Sequence, residues 1–176
     1  SIDGTNILQT GISSLPYALD ANGVETFSAI NPNKSWNSHR ISVFRQLLAA
    51  ENHLLGQAHN AIYHRAQSNI DLVAHAIETA DEAAIVYPDN HLGDQLKMVA
   101  TLASSQQLLA QPRQVFFVSM GGFDTHDNQL TDQPRLLQDL SNALFAFNAD
   151  LQARNLANNI TSFTMSDFGR TLTSNG

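Results

Sequence analysis

A chain of 176 residues is enough for one ordinary domain with a sizeable core. With 43% hydrophobic and 14% charged residues, it carries too much apolar content and too little charge to stay disordered. The net charge of −7 and the lack of any Lys/Arg run exclude an ordinary nucleic-acid binder, and they argue against docking on anionic lipid. There is no cysteine, so disulfides, zinc ribbons and thiol chemistry are excluded. No apolar run approaches the roughly 20 residues that span a bilayer.

Residues 1–37 are rich in Gly, Pro, Asn and Ser and read as an irregular arm, with at most a short strand at Val24–Ile30. From Ser38, a plausible N-cap, Ile41, Phe44, Leu47, Leu48, Leu54, Leu55, Ala58 and Ile62 fall at helical spacing. Gly56 or Gln67–Asn69 is a place where one helix could end and the next begin. The period continues through Ile70, Val73, Ala74 and Ile77, and a turn is expected at Tyr87-Pro88-Asp89-Asn90. Leu92, Leu96, Val99, Ala100 and Ala103 mark a further helix that Pro112 ends, which makes 38–112 a helical region. Trp36 and Tyr63 read as packing residues. His39, His53, His59, His64 and His75 read as surface or boundary residues, because His59 and His64, five apart, do not share a helix face.

Val115–Val118 is short, apolar and rich in β-branched and aromatic residues, the pattern of a buried strand. A helix from about Asp132 buries Leu136, Leu137, Leu140, Leu144, Phe147 and Leu151, and Ile160–Met165 reads as a second strand. The expectation for 113–176 is therefore a β-α-β portion of an α/β core, with a right-handed parallel crossover and two polar loops at neighbouring strand ends.

Those loops hold the residues that could carry chemistry. In Gly121-Gly122-Phe123-Asp124-Thr125-His126-Asp127, two glycines permit a sharp turn and close approach to a ligand. Asp124 and His126 offer a carboxylate and an imidazole, a pair that suits zinc, manganese or iron. The same residues also suit a turn or helix cap with a solvated histidine. In Ser166-Asp167-Phe168-Gly169-Arg170, Asp167 could complete a metal site and Ser166 could serve as a nucleophile beside an activating group. Arg170 could bind a phosphate or carboxylate bidentately, or make a surface ion pair after an Asx-type turn.

Val-Phe-Phe-Val-Ser-Met-Gly-Gly-Phe-Asp-Thr-His-Asp-Asn-Gln at 115–129, a Leu-rich helix, and Phe-Thr-Met-Ser-Asp-Phe-Gly-Arg-Thr at 163–171 together resemble the domain of unknown function 1501 family. The likeness covers about 92–174. It implies an exported bacterial protein, periplasmic or extracellular, with a partial alkaline-phosphatase-like α/β fold. It also implies a divalent-metal site, with Asp124, His126 and Asp167 as ligands, zinc or manganese as the metal, and a small phosphate or sulfate ester as substrate. Ser166 and Arg170 would then lie on the substrate side. Phe168 stands where the related phosphatases have a histidine ligand, which motivates an alternative: a non-catalytic envelope protein for binding or assembly that retained the fold without the chemistry. Ser1 and the final Thr-Ser-Asn-Gly read as cut ends, so the chain is expected to be an inactive fragment of a longer protein.

Overall fold

In the computed structural model, the described residues are 2, 9, 17–24, 31, 34–50, 53–83 and 85–166. A 3-10 turn at Ser35–Asn37 leads into α1 (Ser38–Ala49), followed by α2 (Leu54–Thr79), α3 (His91–Ser104), the short α4 (Gln106–Leu109) and α5 (Gln129–Ala153).

The core is the packing of α3 on α5. Leu92, Leu96, Val99, Ala100 and Leu102 of α3 are buried, as are Leu136, Ala143, Ala146, Phe147 and Leu151 of α5. Both sets recur at three- and four-residue steps, so each helix turns one apolar stripe inward. Ala100 and Ala143, both fully buried, let the two backbones approach closely. Val73 and Ile77 near the end of α2 pack against this core, and Ile2 and Leu19 are buried in it.

The ends of α3 follow from local chemistry. Asn90 caps its start, its Oδ1 accepting from the Gly93 N–H at 2.8 Å. The helical run expected to reach Pro112 breaks earlier: Ser105 leaves helical geometry, and Ala110 at φ 52° ends α4. Ser105 Oγ donates to the Ala76 carbonyl of α2 at 3.1 Å, so the break is also a helix-to-helix tie. Neither Gly56 nor Gln67–Asn69 interrupts α2, and the break between α1 and α2 falls in the residues after Ala49.

The expected parallel β-α-β unit is not present: no sheet forms among the described residues, which hold only an isolated bridge between Asp20 and Gly23. Val115–Val118 and 160–166 belong to no helix and form no ladder. Instead, the first stretch lies on the helices. Phe116, Val118 and Met120 alternate inward against the core, while Val115 is exposed. Its backbone groups are met singly: the Ile2 N–H donates to the Phe117 carbonyl at 3.0 Å, and Gln9 Nε2 donates to the Val115 carbonyl at 2.8 Å. In the second stretch Ile160 reaches the core, and Phe163 and Met165 face out. The physical reason is that β-branched and aromatic residues specify an extended, half-buried chain without specifying its neighbour. Here α5 packs back on α3 rather than crossing a sheet. Leu137, expected in the buried stripe of α5, is half exposed.

Candidate functional site

The 114–120 stretch is fixed by one buried side chain. Gln95 of α3 is 0% exposed; its Nε2 donates to the Ser119 carbonyl at 2.8 Å, and its Oε1 accepts from the Ser119 N–H at 3.0 Å. A primary amide carries one acceptor and two donors, so it can pair with both backbone groups of one residue as a neighbouring strand would. Beyond Ser119 the chain turns through Gly122 at φ +93°, where a side chain would be strained and would press on Leu136 of α5. Asn128, at φ 57°, starts α5, its carbonyl accepting from the Thr131 and Asp132 N–H groups at 2.9 Å each. The loop between is thus held at Ser119, at Gly122 and at the first turn of α5.

On that loop Asp124 and His126 come together. The His126 N–H donates to the Asp124 carbonyl at 3.2 Å, closing a tight turn. The side chains then meet, with His126 Nε2 and Asp124 Oδ2 3.1 Å apart. Both are open to solvent, His126 at 83% and Asp124 at 71%. Among the described residues no three His, Asp or Glu side chains are grouped to hold a metal ion. Ser166 is exposed at the end of the 160–166 stretch. Asp167 and Arg170 lie outside the described residues.

The five histidines of α1, α2 and the α2 N-cap, His53, are all exposed, as expected. His53 also has a local task, its Nδ1 accepting from the Leu55 N–H at 3.3 Å at the start of α2. Tyr63 packs edge-on against Phe44 with ring centres 5.1 Å apart, but Trp36 is 69% exposed and is not a packing residue.

Sequence reasoning missed a buried polar network at the far end of α5. Asp150 is 0% exposed. Its Oδ1 accepts from Arg154 Nε at 3.0 Å, and its Oδ2 accepts from the Tyr87 hydroxyl at 2.9 Å. Arg154 also donates to Ser104 Oγ at 3.2 Å and to the Asp81 carbonyl at 3.1 Å. Burial, and then the Asp150 carboxylate, push the Tyr87 hydroxyl well above its ordinary pKa. The signal was present in the sequence, since Asp150 falls at the spacing of Ala143, Phe147 and Leu151 inside an apolar stripe. Ser104 and Asp81 also line an open groove of about 440 Å³ with Thr79, Gln106, Leu108 and Asn159.

These features define a helix-packed domain carrying an exposed Asp–His loop, braced from behind by a buried glutamine. Residues 30–176 match the family described as Protein of unknown function (DUF1501), and the chain belongs to that family. No curated protein and no solved structure matches it.

Proposed function

We propose that Asp124 and His126 are two ligands of a divalent-metal site, zinc or manganese, that serves hydrolysis of a phosphate or sulfate ester. The observation that carries this is the 3.1 Å approach of Asp124 Oδ2 to His126 Nε2. Two donors each about 2.0–2.1 Å from one tetrahedral ion stand about 3.3 Å apart, so little rearrangement is needed for both to reach the same ion. A third ligand is required, and Asp167 is the residue proposed for it. The metal would supply Lewis-acid polarisation of the ester and a more acidic bound water.

The chain's own contribution is positional and acid–base. Gln95 holds Ser119, the Gly122 turn aims the loop outward, and the exposed carboxylate and imidazole are accessible to an ester from solvent. For Nε2 to bind metal it must lose its hydrogen bond to Asp124 and present a lone pair. In the neutral ring the proton then sits on Nδ1, which leaves the Nε2 lone pair for the metal. The exported location implied by the family resemblance is part of the same proposal.

A non-catalytic binding role is the second reading, motivated by Phe168 where the related phosphatases have a histidine ligand. Calorimetric titration of the full chain with zinc and with manganese separates the readings. The proposal predicts saturable binding, lost in Asp124→Ala and in His126→Ala. Unchanged metal affinity and unchanged esterase activity in both variants would overturn it.

A further inference from the structure

The chain's average charge conceals two regions of opposite sign. Residues 31–70 hold four bases, Lys34, Arg40, Arg45 and Arg65, against one acid, Glu51, a net of +3; the rest of the −7 chain therefore carries −10. None of the four bases is ion-paired with a described residue.

The same region turns apolar side chains outward. No residue of α1 is buried, and in α2 only Ala76 is. One side of α1 meets α2, where Phe44 packs on Tyr63 and the Leu48 carbonyl accepts from Asn60 Nδ2 at 2.5 Å. About a quarter turn away, Trp36, Arg40, Val43 and Leu47 follow one another at four-, three- and four-residue steps, all exposed. Lys34 Nζ stands 5.6 Å from the centre of the Trp36 ring. Leu54 and Leu55 at the start of α2 are exposed too.

We propose that α1, with the first turns of α2, is a docking surface for anionic lipid, lying in the headgroup layer with Trp36 and Leu47 inserted and Lys34 and Arg40 on lipid phosphates. A helix face that carries Trp and Leu together with Lys and Arg suits that boundary, where the aromatic body enters the acyl region and the long cationic side chains reach back to phosphate level. Charge selects this occupant over a second copy. Pairing two such surfaces face to face would set Lys34 and Arg40 against the same cations of the second copy, whereas a lipid headgroup layer presents a continuous anionic plane. The acidic remainder does not cancel the attraction. Leu55 lies about 27 Å along α2 from Val73, where the helix meets the core, and charges are screened over about 8–10 Å in physiological salt. No described helix is long and apolar enough to cross a membrane, so this contact is peripheral.

Trp36 is the chain's single tryptophan, so its emission reports on this surface alone. The full chain is titrated with vesicles of phosphatidylcholine containing phosphatidylglycerol, and with phosphatidylcholine alone. The expected result is a saturable blue shift with the anionic vesicles, reversed by about 0.5 M salt and weak with the zwitterionic ones. Lys34→Gln with Arg40→Gln, both exposed, should weaken binding about thirtyfold. Arg135→Gln on α5 should leave it unchanged. The proposal is overturned if anionic vesicles give no shift, if both lipids act alike, or if the shift follows protein concentration without lipid and sedimentation shows a dimer, which would assign the stripe to a second copy.

Discussion

Replacing Gln95 by Leu keeps the side-chain volume close and removes both hydrogen bonds to Ser119, at 2.8 and 3.0 Å. Each such bond contributes about 0.5–1.5 kcal/mol, and a partner left buried without one costs about 1–3 kcal/mol. Ser119 is only partly buried, so water can repair part of the loss, and the expected cost is about 2–4 kcal/mol. Gln95→Glu is expected to be worse at neutral pH, because it places a carboxylate in a fully buried position and sets an oxygen against the Ser119 carbonyl. Urea unfolding followed by circular dichroism measures the loss, and hydrogen exchange at the Ser119 amide localises it. If Gln95→Leu unfolds within about 0.5 kcal/mol of the parent and Ser119 keeps its protection, the glutamine does not brace the loop and the reasoning is wrong.

Three further outcomes follow from the same geometry. Gly122→Ala should cost about 1–3 kcal/mol, because φ +93° is strained for a side chain and its Cβ would press on Leu136; Gly121→Ala, with open space around it, should stay within about 0.5 kcal/mol, both read by thermal melts. Tyr87 holds its proton more tightly folded than unfolded, so its contribution to stability is complete below about pH 10 and is lost as pH rises above that value. Tyr87→Phe should therefore be less stable at neutral pH, yet lose stability less steeply above pH 10, as pH-dependent urea melts would show. Phe147→Ala, at the centre of the α3–α5 packing, should cost about 3–5 kcal/mol by the same melts.

What the sequence made legible was periodicity. The stripe of Leu92, Leu96, Val99 and Ala100 and that of Leu136, Phe147 and Leu151 are the two halves of the observed core. Long helices with three- and four-residue repeats specify their own backbone hydrogen bonds, so they can be read without knowing their neighbours. Val115–Val118 could not be read in that way. Its short apolar run read as a buried strand, but whether such a run joins a sheet depends on a distant partner; the groups that meet this stretch are Ile2, Gln9 and Gln95, and Phe116 and Val118 pack on the helices instead. In the candidate site, spacing alone placed Asp124 and His126 on one loop, where capping was an equal alternative. The side-chain approach depended on the turn closed by the His126 N–H, which Asp-x-His does not encode by itself. The buried Asp150 network and the charge split of 31–70 were both present in the residues. A lone acid in an apolar stripe does not name its Tyr87 and Arg154 partners, and a net charge is an average over the chain.

The most direct test of the metal-site proposal is nuclear magnetic resonance of the histidine rings during zinc titration of the full chain. The chain has seven histidines, so the response identifies the ligand. The account predicts that the His126 ring nitrogens shift first and saturate at one equivalent, with the response abolished in Asp124→Ala. A zinc response confined to the helix histidines such as His59 or His64, or a His126 response that survives Asp124→Ala, would contradict it.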